Sequence, residues 1–378
     1  MQIYIHVPFC RAKCRYCAFN SIVSNDKFID DYVGALCMEI TKSSQTVDTI
    51  YFGGGTPSIL SLKQLSKIFE VLQNNYDLSK CNEITFEANP GTVDKNYLTT
   101  LKELSINRLS LGVQSFDDTL LRTLGRIHSR QEALEIVNVA TSIFDNVSID
   151  LMYDLPGQTI EILHNTLETA FNLNVQHISI YGLEVEEETE FGRLHGLGQL
   201  KLPTDEESGE MYELITKELP YRGFRRYEIS NFAKAGFESR HNLGYWSDVE
   251  YLGFGADAHS YILTKNDSFS GLRLSNVSNI KEYIDKMKSG ANIKITEEFV
   301  TRKAAIEEFC FLALRKVDGI DLNRFKDKFG VDIYSIYDKT IEKLQNEGLI
   351  EISEHNIKLT ERGMKYGNLA FSEFLLNP

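Results

Sequence analysis

The sequence predicts an α/β protein whose larger part is a partial (β/α)6 TIM-like barrel, followed by a smaller, mainly helical, winged-helix-like C-terminal domain. Two observations carry this prediction. Short β-branched or aromatic runs alternate with longer helical runs up to about residue 185, which is typical of a parallel sheet. Each short run also ends in a glycine, cysteine, amide or acidic motif.

Six strands and five helices are predicted in the barrel. The strand ranges are 2–7, 48–52, 83–88, 107–113, 146–152 and 177–183. Apolar residues recur between them at i, i+3 and i+4, which predicts helices over 28–42, 61–73, 94–104, 130–143 and 159–171. Ser61 and Asp94 stand where N-caps belong.

The motifs that end the strands favour a barrel over an open sheet. CRAKCRYC follows the first strand, and the later strands end in GGGTP (53–57), EANP (87–90), GVQSF (112–116), Asp150 with LPGQ (155–158), and the acidic stretch from Glu184. Barrels place functional residues at the carboxyl ends of many strands. Open sheets concentrate them at one switch point. The distributed motifs therefore predict a partial barrel.

The pattern changes after residue 200. A helix over about 204–219 precedes a predicted strand over 225–233 and the stretch 240–262, which is dense in glycine, aromatic residues and histidine. From about residue 300 the chain is mostly helical and ends in a helix, two short strands and a turn, which is typical of a winged helix. We therefore divide the chain into a barrel (1–200), a barrel extension (201–295) and a C-terminal domain (296–378).

Charge and composition exclude some partners. The net charge of −14 argues against a nucleic-acid partner, because binding phosphates needs clustered Lys and Arg. Residues 301–378 hold 12 Lys plus Arg against 13 Asp plus Glu, so the C-terminal domain does not suit nucleic acid either. No apolar run is long enough for a transmembrane segment, and no signal peptide precedes the first strand. We expect a cytoplasmic protein with reduced cysteines.

Cys10, Cys14 and Cys17 lie within eight positions, on the loop that follows the first strand. Their thiolates can converge on one centre. One interpretation is a structural zinc site with a fourth ligand from elsewhere. The candidates for that ligand are His6, Cys37, Cys81 and Cys310. Zinc ribbons and fingers normally use two separated pairs, and the sequence has no second pair, so an iron–sulfur cluster with one open iron is favoured.

The spacing C-x3-C-x2-C, with Tyr16 before the last cysteine, resembles the cluster signature of the radical S-adenosylmethionine (SAM) superfamily. YIHVPFC (4–10) and GGGTP resemble its branch containing oxygen-independent coproporphyrinogen III oxidase. The resemblance implies a [4Fe-4S] cluster on the three cysteines, whose open iron is chelated by SAM and whose reduction cleaves SAM to a 5′-deoxyadenosyl radical. It also implies a set of SAM-binding residues, namely Tyr4, Tyr16, Gly54, Gly55, Thr56, Glu87, Gln114, Arg126 and Asp150. The chain departs from the family turn Y-G-L-P-G-Q at Asp154.

Two features separate the members of this branch. The oxidase has a fourth cysteine two positions after the third ligand and an N-terminal extension, whereas this chain has Phe19 there and its first ligand at residue 10. The heme chaperones of the branch have Phe at that position and an HNXXYW motif, which HNLGYW (241–246) matches. The resemblance to heme chaperones implies heme binding through His241, Tyr245 and Trp246. His259 is a second candidate axial ligand.

The function implied by this resemblance is a heme chaperone that binds heme, the cluster and SAM, and delivers heme to acceptor proteins such as respiratory enzymes. Such a chaperone retains the cluster and SAM-binding residues of the radical enzymes without acting as an enzyme. Its association with membranes is peripheral and occurs through its acceptor proteins. The alternative is a radical SAM oxidoreductase that decarboxylates the propionates of coproporphyrinogen III. A radical enzyme that modifies RNA is a third interpretation, disfavoured by the charge of the C-terminal domain.

Overall fold

The computed structural model describes residues 1–23, 26–41, 45–264 and 269–376. Six strands pair in parallel and in chain order, and each boundary lies within two residues of its predicted position. They are β1 (Gln2–Val7), β2 (Thr49–Gly54), β3 (Glu83–Ala88), β4 (Arg108–Gln114), β5 (Val147–Tyr153) and β6 (His177–Gly182). The predicted partial barrel is confirmed.

Helices connect these strands and cover the outside of the sheet. They are α1 (Asp26–Glu39), α2 (Leu62–Asn75), α3 (Lys95–Glu103), α4 (Asp118–Leu124), α5 (Arg130–Ile143) and α6 (Ile160–Phe171). Ser61 caps α2 and Asp94 caps α3 through their side chains, as predicted. The first predicted helix, 28–42, ends earlier, at Glu39, and residue 42 lies outside the described residues. The sequence did not predict α4, the short helix that begins after Asp117.

The sheet continues beyond the six predicted strands at both edges. The additional elements are α7 (Glu190–Gly196), α8 (Asp205–Tyr221), β7 (Arg225–Arg226), β8 (Asn231–Ala233), α9 (Arg240–Tyr245), β9 (Tyr251–Phe254), β10 (His259–Leu263), β11 (Gly271–Asn276), α10 (Ile280–Ser289) and β12 (Lys294–Val300). Strands β1 to β12 form one twelve-stranded sheet in the order β12-β11-β10-β9-β1-β2-β3-β4-β5-β6-β8-β7. In it β9 pairs in parallel with β1, so the first strand has a parallel neighbour on each side.

The structure differs from the single strand predicted over 225–233. Two short strands, β7 and β8, pair antiparallel there instead. The Arg226 guanidinium donates to the carbonyls of Glu228 and Ile229, and the Tyr227 N–H donates to the carbonyl of Asn231. These bonds close a tight turn, which divides the run into a hairpin.

The alternation along β4 shows how the barrel is built. Leu109, Leu111 and Val113 are fully buried in the apolar core, and burial of each contributes about 1.5–3 kcal/mol. The residues between them, beginning with Arg108 and Ser110, line a cavity inside the barrel. The outward face therefore stabilises the fold, and the inward face is polar.

A second apolar cluster holds the C-terminal elements together. They are α11 (Arg302–Leu314), β13 (Ile320–Asp321), α12 (Leu322–Phe329), α13 (Tyr334–Asn346), β14 (Ile350–Ile352), β15 (Asn356–Leu359), α14 (Glu361–Lys365) and α15 (Gly367–Glu373). Three strands pair in the order β13-β15-β14, which gives the predicted winged-helix-like arrangement. The predicted domain boundary at 296 falls inside β12, and the predicted domain ranges stay a prediction. No helix among the described residues is long and apolar enough to cross a membrane.

Candidate functional site

A cavity of about 530 Å³ runs from the cysteine loop into the barrel. It collects residues from the carboxyl ends of β2 to β5 and from the loop after β1. The lining contains all three cysteines and eight of the nine SAM-binding residues implied by the resemblance: Tyr16, Gly54, Gly55, Thr56, Glu87, Gln114, Arg126 and Asp150. Tyr4 lies just behind the lining, with its ring stacked on Tyr51 at 6.2 Å.

The cysteine sulfurs receive hydrogen bonds from the cavity wall. Thr56 Oγ1 donates to Cys10 Sγ at 3.5 Å, and Arg126 Nη1 donates to Cys14 Sγ at 3.4 Å. All three cysteines are free thiols, and burial raises the pKa of Cys17. Hydrogen bonds to sulfur help to set the reduction potential of an iron–sulfur cluster. Three thiols with donors beside two of them fit such a cluster.

In the described part of the chain, no three His, Cys, Asp or Glu side chains converge on a position for a single metal ion. The thiolates of a [4Fe-4S] cluster bind different irons, so they need not converge in that way. Among the candidates for a fourth zinc ligand, His6 lies beside Gly54 and is hydrogen-bonded through both ring nitrogens, to Tyr4 Oη and to the Asn20 carbonyl. The other three lie elsewhere. Cys37 lies in α1, Cys310 is buried in the C-terminal cluster, and Cys81 Sγ donates to the carbonyl of Glu83.

Glu87, at the end of β3, is a half-buried carboxyl group in the cavity wall. Burial, with a smaller contribution from the neighbouring Asp150, raises its pKa to about 7 against the hydrogen bond that Tyr51 Oη donates at 2.5 Å. Burial also raises the pKa of Asp150, whose carboxylate accepts a hydrogen bond from Ser110 Oγ at 3.1 Å. These two acids suit an ammonium group or ribose hydroxyls, and the guanidinium of Arg126 suits a carboxylate.

The glycines at the end of β2, Gly54 and Gly55, are required by packing inside the protein. Gly54 has φ 112°, and a Cβ there would lie 2.7 Å from the His6 ring. A Cβ on Gly55 would lie 2.6 Å from the carbonyl oxygen of Phe9. Gly54 therefore leaves room for His6 of β1 and Gly55 for the backbone of Phe9, and both glycines line the cavity.

The first five residues of the HNLGYW segment lie in α9 and Trp246 caps its end, and this helix lies at the opposite end of the barrel from the cysteines. The carboxylate of Glu83, the first residue of β3, accepts hydrogen bonds from the N–H groups of Arg240 and His241. Gln2, the first residue of β1, donates to the carbonyl of His241 at 3.0 Å. Since Glu83 and Gln2 begin their strands, α9 closes the amino-terminal end of the barrel.

The His241 ring is enclosed, with 1% of the residue exposed. Nδ1 is hydrogen-bonded to Thr49 Oγ1 at 2.8 Å, and Nε2 to Tyr245 Oη at 3.1 Å. Burial lowers the pKa of His241 to about 3. The structure does not bring His241, Tyr245 or Trp246 into the cavity lining, although Asn242 of the same helix reaches it. His259 is exposed at the start of β10.

Basic residues of the C-terminal region hold the turn after α9. The Arg315 guanidinium lies 4.5 Å from the centre of the Trp246 ring. Three further contacts to the turn come from Lys316 to Ser247 Oγ, from Arg324 to the Ser247 carbonyl, and from Lys328 to Asp248. The position of the HNLGYW segment is therefore fixed from two sides, by the barrel and by the C-terminal region.

Several cavity residues were not predicted from the sequence. They are Tyr51, Arg108, Ser110, Ser179, Tyr181 and Asn242. In β4 the signal was present, because Arg108, Ser110, Gly112 and Gln114 alternate with buried apolar residues. Such alternation predicts a polar inner face once the sheet is known to curl into a barrel.

Comparison with known proteins agrees with this geometry. Residues 4–170 match the Radical SAM superfamily, and residues 300–366 match the HemN C-terminal domain. The chain is 42% identical to the heme chaperone HemW of Bacillus subtilis over 98% of both chains, and 36% identical to that of Lactococcus lactis over 99% of this chain and 97% of the other. Coproporphyrinogen III oxidase (HemN) from Escherichia coli has a similar solved structure, with a TM-score of 0.85 over 99% of this chain and 89% of that chain. At 23% identity, this likeness shows the fold alone.

The curled parallel sheet and the cysteine triad over the carboxyl ends of its strands define a protein of the radical SAM superfamily. That superfamily implies a [4Fe-4S] cluster and SAM as cofactors. Within it, the chain belongs to the family of the heme chaperone HemW.

Proposed function

We propose that the protein is a heme chaperone that binds heme, a [4Fe-4S] cluster and SAM, and delivers heme to acceptor proteins such as respiratory enzymes. The observation that carries this proposal is the 42% identity to the heme chaperone HemW of Bacillus subtilis over nearly the whole of both chains. The intact HNLGYW segment and Phe19 support the same conclusion. The cytoplasmic location stays a prediction from the sequence.

The cavity supports the cluster and SAM part of the proposal. Cys10, Cys14 and Cys17 would hold the cluster, which supplies the electron for cleavage of SAM when both are bound. Glu87 and Asp150 would bind the polar groups of SAM, and Arg126 would bind its carboxylate while donating to Cys14. These roles need the residues to share one cavity, and they do.

The heme part assigns His241, Tyr245 and Trp246 to heme. In the described structure the His241 ring is hydrogen-bonded through both nitrogens, so ligation of iron has to replace the bond to Thr49 or the bond to Tyr245. His259 is exposed and requires no such exchange. These two histidines are therefore the axial-ligand candidates to compare.

The test is a heme titration followed by visible spectroscopy, on protein reconstituted anaerobically with its cluster. We expect wild type to bind heme and His241→Ala to lose the spectrum of the ligated iron. His259→Ala tests the second candidate, and His164→Ala, at an exposed position of α6, is the matched control. Failure of wild type to bind heme contradicts the chaperone function. An unchanged spectrum in His241→Ala contradicts only the ligand assignment.

The same preparation tests the oxidase alternative. Coproporphyrinogen III is added anaerobically with SAM and a reductant, and its products are separated by chromatography. We expect no decarboxylation, because Phe19 stands where the oxidase has a further cysteine. Turnover of the porphyrinogen would replace a purely chaperone function with an enzymatic one.

A further inference from the structure

Arg108, the first residue of β4, is a buried cation in the inner part of the cavity. Only 2% of the residue is exposed. Its Nε has no hydrogen-bond partner, and no carboxylate among the described residues forms an ion pair with it. Arginine is rarely buried without a partner, since an unpaired buried charge is among the most unfavourable features of a folded protein.

The acids of the cavity do not neutralise Arg108 by contact. Its charge lowers the pKa of both Glu87 and Asp150, which places it near them, yet burial dominates and both pKa values stay raised. Each acid has another partner, because Tyr51 donates to Glu87 and Ser110 donates to Asp150. The guanidinium is therefore left facing a space inside the protein.

The groups around that space suit an anion with two oxygens. Asn242 lines the same cavity as Arg108, and its side-chain amide carries N–H donors, whereas the hydroxyls of Ser110 and Ser179 are hydrogen-bonded to Asp150. A guanidinium presents paired N–H donors in a planar fork that matches a carboxylate. A carboxylate brought by a ligand would supply the acceptor that the chain does not provide.

We infer that the inner end of the cavity is a carboxylate-binding subsite centred on Arg108, and that its ligand is a propionate of the porphyrin. This inference rests on the proposed heme function. A carboxylate could also come from the methionine part of SAM, but Arg126 is the cation beside the cysteines, where it donates to Cys14 Sγ. Arg108 begins β4 and so lies away from the carboxyl ends of the strands, where the cysteines are, and we therefore assign it a different carboxylate.

The test compares ligands with and without the carboxylate on anaerobically reconstituted full-length protein. Heme and heme dimethyl ester are titrated by visible spectroscopy, and SAM and decarboxylated SAM by equilibrium dialysis. The proteins are wild type, Arg108→Gln, Arg108→Lys and, as the matched control, Arg130→Gln at an exposed position of α5.

We expect wild type to bind heme about 10- to 100-fold more tightly than the ester, the range for hydrogen bonds to a charged group. Arg108→Gln should lose the preference for heme over the ester while keeping its affinity for the ester. Arg108→Lys should keep part of that preference, and the control Arg130→Gln should behave like wild type. Circular dichroism checks that each variant is folded. The comparison of the two hemes on wild type needs no variant.

Equal affinity of wild type for heme and its ester overturns the propionate assignment while the chaperone function stands. If Arg108→Gln instead alters only the preference for SAM over decarboxylated SAM, the subsite is correct and SAM is its source. If neither preference depends on Arg108, there is no carboxylate subsite. Absence of any heme binding by wild type defeats the proposed function, and the SAM titrations then still decide whether the subsite exists.

Discussion

Replacement of Glu87 by glutamine tests whether this carboxyl group serves a ligand or the fold. Burial raises its pKa from about 4.5 to about 7, which makes the ionised form unfavourable in the folded protein. A carboxyl group with a raised folded-state pKa contributes full stability at low pH, and this contribution is lost as the pH rises from about 4.5 to 7. The difference between these pKa values corresponds to about 3 kcal/mol in the free energy of unfolding. Because solvent on the cavity side screens the carboxylate, we expect roughly 2 kcal/mol of this effect.

Glutamine has nearly the same shape, accepts the Tyr51 hydrogen bond and does not ionise. Urea unfolding of ligand-free protein, followed by circular dichroism from pH 5 to pH 8.5, measures the effect. We expect Glu87→Gln and wild type to be equally stable near pH 5, and the variant to be more stable by about 2 kcal/mol at pH 8. The difference should develop between pH 5 and pH 7.5.

Glu39→Gln is the matched control, since this buried carboxylate accepts a hydrogen bond from Tyr283 Oη and pairs with Lys294 at 3.0 Å. Removal of its charge should destabilise the protein by about 1–3 kcal/mol at pH 8. If Glu87→Gln is also less stable than wild type at pH 8, the carboxylate of Glu87 supports the fold and the reasoning is refuted.

Two further substitutions test the packing around the site. Gly55→Ala places a methyl group against the backbone of Phe9, so it should lower the free energy of unfolding in urea by about 1–3 kcal/mol and weaken SAM binding. In the control, Gly196→Ala, no atom lies within 4 Å of the added Cβ, so stability and SAM binding should stay unchanged or the helix become slightly more stable. Equal effects of the two substitutions would refute the packing argument. Arg315→Ala should lower the free energy of unfolding by about 1–2 kcal/mol and shift the fluorescence of Trp246, the sole tryptophan, to longer wavelength. An unchanged emission spectrum would show that Arg315 does not shield the Trp246 ring from water.

The barrel strands were predictable because their outward residues, such as Leu109 and Leu111, form continuous apolar patterns. The rest of the sheet could not be predicted, because β1 pairs with β9 about 250 residues away in the chain. No local sequence pattern indicates which distant strand will pair with β1. The helix α4 was missed because it has only seven residues. Its end signals were present, since Asp117 caps it and Gly125 terminates it with φ 74°.

The outer part of the candidate site was predictable from motifs, and the inner part was not. The cysteines share one cavity with residues of the strand-end motifs, as the barrel prediction required, except that LPGQ (155–158) contributes none of the lining. Arg108 escaped prediction because a charged residue at the start of a strand is usually solvated. The location of HNLGYW could not be inferred either, since the contacts of His241 with Thr49 and Gln2 cross about 190 and 240 residues of sequence.

The position of β1 between β2 and β9 affects how the protein matures during synthesis. The cysteine loop is attached to the end of β1, which is synthesised about 250 residues before β9. One side of β1 stays without its partner until Phe254 has been made, roughly 10 to 50 s later at ordinary elongation rates. The nascent chain therefore carries its cluster ligands on an incomplete sheet throughout this interval. A cluster can be assembled on the complete sheet only after β9 has been made.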